Sequence, residues 1–160
     1  MRACDQLPDR FNAAEWFVGR HAAGNRARNI AVVTDEKETT YGELDRLVRR
    51  FAAALERQGV HPGDRVALIL PDGLLFSIGF WGAIAAGAVA VPLNPLLKPE
   101  KLKAILGDCD PRLLVFDDGL VEGPGVSNEA CAHWQASEAE SRVRDTPPAP
   151  VDRCLAVGKP

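Results

Sequence analysis

The chain has 160 residues, 46% of them hydrophobic and 26% charged, the mixture of a globular domain able to bury a sizeable core rather than of a disordered chain. A net charge of −3 argues against a nucleic-acid surface, which needs concentrated basic residues; Arg46, Arg49 and Arg50 share a helix with Glu43 and Asp45 and read as a solvated face. Cys4, Cys109, Cys131 and Cys154 form no C-x-x-C pair and have no histidine at ligand spacing, so they read as independent reduced thiols; with no apolar signal core in residues 1–10, the cytoplasm is the expected compartment.

Asn12 and Glu15 stand at capping-box spacing and predict a helix through Trp16, Phe17 and His21 that Gly24 ends. His21 reads as a surface histidine near a helix end rather than a ligand. Residues 30–34 and 38–40, set around Asp35-Glu36-Lys37, predict a small antiparallel hairpin. Thr40 and Glu43 form a second capping box, and Leu44, Leu47, Val48, Phe51 and Leu55 recur at helical spacing behind it. That predicts a helix over residues 41–58, stopped by Gly59, in which Tyr41 is a packing anchor rather than a catalytic phenol.

The central stretch follows. Residues 65–70 form a short apolar run entered from Pro62-Gly63-Asp64, and residues 89–92 form another entered from Gly87-Ala88. Runs of this length between turn residues suit strands buried on both faces of a parallel sheet. Residues 74–86 between them predict a helix that Asp72 or Gly73 begins and Gly87 ends in a left-handed cap. No residue from Leu74 to Val91 is charged, a length bordering on that of a membrane span. Gly79, Gly82 and Gly87, the bracketing Pro71 and Pro92, and the lack of a flanking Lys/Arg cluster favour a helix sandwiched inside a domain, and no membrane association is expected.

Pro99 suits the first position of a helix running to about residue 106, although Lys98 offers its free amides no acceptor and reads as an exposed lysine rather than an anion site. Residues 113–116 are a third apolar run. Three such runs joined by helices predict a three-layer α/β fold with a doubly wound, mainly parallel sheet. From Asp117 the character changes, with eight acidic against four basic residues, Gly123-Pro124-Gly125 and Pro147-Pro148. Residues 1–118 are thus expected to form the domain, and residues 119–160 a loose acidic tail with one short helix near residues 128–137.

In such a sheet ligands gather beyond the carboxyl ends of the strands, here Pro71-Asp72-Gly73, Asn94-Pro95 and Asp117-Asp118. None is a phosphate cradle, since neither G-x-G-x-x-G nor G-x-x-x-x-G-K-[ST] occurs. Asp72 reads first as a helix cap and second as a metal or ribose ligand; Asp117 and Asp118 read as solvated acids. No Ser/His/Asp or Cys/His set follows from spacing, so no catalytic, cofactor-binding or metal residue is assigned.

Three blocks nevertheless resemble a known family. Thr40-Tyr41-Gly42-Glu43-Leu44, then residues 59–67 (Gly59-Val60-His61-Pro62-Gly63-Asp64-Arg65-Val66-Ala67), then residues 82–94 from Gly82-Ala83 to Leu93-Asn94 are similar, in order and spacing, to conserved blocks of the adenylate-forming acyl-CoA synthetases. Residues 11–17, Phe11-Asn12-Ala13-Ala14-Glu15-Trp16-Phe17, resemble the opening of the benzoate-CoA ligase branch. The resemblance covers residues 11–118 and implies the N-terminal subdomain of an enzyme that activates a carboxylic acid, here an aryl acid, with ATP and Mg²⁺ and passes the acyl group to coenzyme A. The family's Ser/Thr/Gly phosphate loop, ribose-binding Asp and C-terminal adenylation Lys have no match here, Gly158-Lys159 being too little to hold a triphosphate. The resemblance therefore implies scaffold, inactive alone as a truncated or degenerate product, with no bound cofactor of its own. Two alternatives stay open: an interaction module that docks on a partner, a missing ligase half or another copy of itself, and an independent nucleotide-binding α/β protein.

Overall fold

The structure, a computed structural model, describes residues 10–120, 131–150 and 157–158. Strand β1 (Arg10–Phe11) pairs antiparallel with Val157–Gly158. Asn12 then caps a helical segment, its Oδ1 accepting from the Ala14 and Glu15 amides at 2.9 and 3.4 Å while its Nδ2 donates to the Ile84 carbonyl at 2.8 Å. The segment is wound as a π-helix over Glu15–Gly19 before α1 (Arg20–Ala22). β2 (Ile30–Val33) and β3 (Glu38–Thr40) form the expected antiparallel hairpin.

Helix α2 (Tyr41–Arg57) begins with the predicted capping box: the Glu43 amide donates to Thr40 Oγ1 at 3.3 Å, and the Thr40 amide donates to the Glu43 carboxylate at 3.0 Å. Leu44, Val48, Phe51 and Leu55 form its buried stripe. Gly59, at φ +81°, lets the chain turn out of the helix toward β4 (Arg65–Ile69). Helix α3 (Leu74–Ala85) starts at Gly73 with no side-chain cap, so the expectation that Asp72 caps it is corrected: Asp72 is exposed and stands one residue too early to reach the first-turn amides. Gly87, at φ +75°, ends the turn after α3 as expected, and β5 (Val89–Pro92) follows.

Helix α4 (Pro99–Cys109) runs nearly a turn past its predicted end because Asp110 takes the left-handed cap at φ +41° and Arg65 clasps that end, Nε donating to the Cys109 carbonyl at 2.7 Å and Nη2 to the Asp110 carbonyl at 2.6 Å. Lys98 supplies no side-chain cap at its start. β6 (Leu113–Phe116) is the third predicted strand. Beyond it the structure departs from the loose tail: Ala132–Gln135 is strand β7 and Ala136–Asp145 is helix α5, so the short helix placed near residues 128–137 is displaced and a strand stands in its place. Trp134, 1% exposed, explains the ordering, because it packs edge-on against Phe51 at 5.8 Å and Ala139 and Val143 bury beside it. Val157–Gly158, the partner of β1, is β8. Cys4, Cys154, Gly123-Pro124-Gly125 and Lys159 lie outside the described residues.

β4 to β7 make one parallel sheet in the order β5-β4-β6-β7, in register from Val66↔Ala90 and Val66↔Leu113 to Val115↔Trp134. Alternate residues serve opposite faces. Val66, Leu68, Leu113, Val115 and Trp134 join the core under α2, α3 and α5, while Ala67, Ile69, Leu114 and Phe116 bury beneath Leu102 and Leu106 of α4. Helices on both faces of a parallel sheet give the three-layer, doubly wound architecture read from the sequence. Among the described residues no helix is long and apolar enough to cross a membrane.

Candidate functional site

After β4 the chain steps to one side of the sheet through α3, and after β5 it crosses to the other through α4, so the strand order reverses between β4 and β6. The crevice beyond the carboxyl ends of those two strands is where this architecture places ligands. The side chains there turn the chain. Asp117 donates its amide to the Ile69 carbonyl at 3.0 Å, and its Oδ1 accepts from the Gly119 amide at 2.8 Å. Asn94 Oδ1 accepts from the Leu96 amide at 2.9 Å beyond β5. Asp72 and Asp118 are exposed and Asp117 partly so, at an edge that carries carboxylates rather than a glycine-rich cradle. The residues in this crevice do not fit a triphosphate, which needs converging amides and cations.

Cavities among the described residues lie elsewhere. One, of about 340 Å³, is lined by Arg20, His21, Gly24, Asn25 and Arg26 at the end of α1. The His21 ring lies 4.9 Å from the Tyr41 ring at a tilt of 55°, in keeping with a packing role for that tyrosine, and desolvation followed by the Arg20 and Arg26 charges lowers the histidine's pKa. Another, of about 300 Å³, opens among α2, α3 and α5 between Leu47, Leu75, Ile78 and Val143, with Arg50 and Glu140 at its sides.

Among the described residues, the thiols and His133 are held quiet. Cys109 is partly exposed and Cys131 buried; both are free thiols whose pKa values are pushed up chiefly by desolvation, which keeps them protonated and weakly nucleophilic. His133, on β7 facing the α4 side with Leu114, has its pKa lowered by burial, and its Nε2 is buried without a hydrogen-bond partner. Among the described residues no group of three or more His, Cys, Asp or Glu converges as metal ligands would.

The polar residues with most structural weight make contacts that spacing does not single out. Arg49, placed on a solvated face from the sequence, is 6% exposed and holds Asp45 at 2.8 Å and Glu15 at 3.1 Å, tying α2 to the N-terminal helical segment. Arg65 and Asn12 likewise act across the fold, on the end of α4 and the end of α3. The signal for all three is long-range and becomes visible only once the elements are assembled.

Comparison with known proteins completes the picture. The sequence profile of the AMP-binding enzyme family matches residues 19–157. The 4-hydroxybenzoate/benzoate-CoA ligase of Rhodopseudomonas palustris is 40% identical over 137 residues, which are 86% of this chain and 25% of that ligase. The anthranilate CoA ligase AuaEII, solved with anthranoyl-AMP, superposes with a TM-score of 0.84 at 26% identity over 99% of this chain and 31% of that one. The N-terminal domain of FACL13 from Mycobacterium tuberculosis gives a TM-score of 0.76 at 26% identity over 86% of this chain and 38% of that domain. The chain spans about a fifth to a third of the length of the CoA ligases it matches. A profile running through β2 to β8 and a whole-fold superposition on such ligases agree with the three sequence blocks: the chain belongs to the AMP-binding enzyme family, among proteins similar to the benzoate-CoA ligases.

Proposed function

We propose that this chain is the N-terminal scaffold of an ATP-dependent ligase that joins an aryl carboxylic acid to coenzyme A, and that it has no adenylating activity without the rest of such a ligase. The carrying observation is 40% identity to a benzoate-activating relative over 86% of this chain and only 25% of that relative. The likeness to a domain described as N-terminal supports the position, and the anthranilate ligase supports the aryl class of acid. In this reading ATP, Mg²⁺ and coenzyme A belong to the complete ligase, in the cytoplasm. Residues 10–120 and 131–150 contribute the parallel sheet and its helices as framework, consistent with a carboxyl edge whose polar side chains are spent on chain turns.

The test is acid-dependent ATP–pyrophosphate exchange with benzoate and the hydroxybenzoates. The purified 160-residue chain gives none; the same chain fused to the unmatched remainder of the R. palustris ligase gives exchange that requires an aryl acid. Exchange by the short chain alone overturns the scaffold reading, and a folded fusion that exchanges only with aliphatic acids overturns the aryl assignment.

A further inference from the structure

Helix α3 carries one polar side chain, Ser77, in its twelve residues. A helix with one face in the core and the other in water has charged residues outside, as α2 does with Asp45, Arg46 and Arg57. The inner face of α3 is accounted for: Ile78, Gly79, Gly82, Ala83 and Ala85 are buried. Its outer face is not. Phe76, Phe80, Trp81 and Ile84 are only partly buried where solvent-facing residues belong.

These side chains form a continuous strip. Phe76 stacks on Phe80 at 6.2 Å, Phe80 meets Trp81 edge-on at 5.1 Å, and Trp81 reaches Phe17 at 5.8 Å. Phe17 is 51% exposed and its neighbour Trp16 45%. Ile30, Val33, Val89, Leu96, Ile105 and Leu120 are exposed too, but these aromatic rings are in contact with one another, and a connected aromatic strip of this kind marks a covered face. The relatives indicate the cover: a protein superposing on 99% of this chain carries the greater part of its length outside the matched region.

We propose that the strip of Phe17, Phe76, Phe80 and Trp81 is the docking surface for the ligase body, the polypeptide that AMP-binding ligases carry beyond the region matched here. This rests on the scaffold reading above, and it names the surface through which the scaffold joins the rest. The contact is a dry aromatic one, with Trp81 at its centre because it touches both Phe80 and Phe17.

The experiment compares the 160-residue chain with its fusion to the unmatched remainder of the R. palustris ligase, using bis-ANS as the surface probe and no acid or nucleotide. The chain alone binds bis-ANS; the fusion loses most of that signal, and acrylamide quenching of Trp16 and Trp81 falls with it. Phe80→Glu and Trp81→Glu restore dye binding in the fusion and lower capture of the short chain by the separate ligase body at least tenfold, whereas Trp81→Phe leaves capture within about twofold. The near-ultraviolet signal of buried Trp134 reports that each variant is folded. Equal dye binding by fusion and free chain overturns the proposal. So does a concentration-dependent dimer, or partition onto anionic lipid vesicles, that the two Glu variants abolish while capture by the ligase body is unchanged. Exchange activity in a fusion whose strip stays dye-accessible removes the docking surface and leaves the scaffold reading; a protected strip without exchange does the reverse.

Discussion

Gly82 lies so close to Phe51 that a Cβ on it would stand 2.7 Å from the ring's Cδ1 and 2.9 Å from Phe51 Cβ. Helix α3 therefore meets α2 at near-backbone distance, and the ring of Phe51 fills the notch that glycine leaves. Gly82→Ala is expected to destabilise the chain by about 1–3 kcal/mol through overpacking, although alanine is the better helix former. Urea titration with Trp134 emission as the signal measures it. Gly82→Ala combined with Phe51→Leu should cost less than the two separate losses added together, because the smaller side chain admits the new methyl; strict additivity contradicts the close approach.

Arg49 gives the second prediction. Its side chain is 8% exposed, and its guanidinium bridges Asp45 within α2 to Glu15 of the N-terminal segment. Arg49→Ala strands two carboxylates, and because both remain in reach of water the expected loss is about 2 kcal/mol, below that of a fully enclosed pair. Arg49→Lys recovers only part, since an ammonium cannot reproduce the two-sided fork. The check is the urea midpoint, with quenching of Trp16 expected to change in the same variants as the segment loosens.

Stability is also expected to fall on mild acidification. Burial lowers the His133 pKa below its ordinary 6.5, so the folded form resists the proton that the unfolded chain accepts. Above pH 6.5 the group is neutral in both states and contributes nothing. As pH drops from 6.5 through the folded value, stability is lost, and below that value the loss is complete. Glu43 works on a lower range: the Thr40 backbone and hydroxyl bonds hold its carboxyl below 4.5, so its contribution is lost only as pH falls further through that folded value. Denaturation midpoints compared between pH 5 and 7.5 should decline toward pH 5, and His133→Gln should flatten the profile. An unchanged slope in that variant would falsify the assignment.

Trp134→Ala is expected to cost about 3–5 kcal/mol, the loss of a fully buried aromatic with its cavity left behind. The substitution removes the partner of Phe51 and the surface beneath Arg142, whose guanidinium lies 4.7 Å over the indole. Were residues 132–145 a loose appendage, the change would be neutral. Calorimetric melting of the two proteins settles which.

That strand and its helix mark where sequence reading stopped. β4, β5, β6 and α2 were legible because each is an apolar run or stripe bounded by Gly, Pro or a capping pair. β7 reads Ala-His-Trp-Gln, one buried aromatic in a four-residue edge strand, and α5 touches the core through the small Ala136 and Ala139 and through Val143, while its remaining positions are mostly charged. Neither period rises above the acidic composition around it. The π-helical turn at Glu15–Gly19 was equally invisible: the Asn12 cap was read correctly, but the pull of Arg49 on Glu15 comes from 34 positions away. The carboxyl-edge residues were located in advance, and their occupation with local turns at Asn94 and Asp117 needed the assembled backbone to be seen.

Among the described residues the two faces of the sheet are shielded unequally, by α2, α3 and α5 on one side and by α4 with Leu93 and Leu97 on the other. α4 also begins without a side-chain cap and holds its inner surface with Leu102 and Leu106. Its far end depends on Arg65. The molecule should therefore come apart in two stages under native conditions, with amide protons of α4 trading for deuterium through a low-energy local opening while those of α2 wait for global unfolding. Uncovering the Ile69 and Phe116 face in that way would be the earliest breach of the fold.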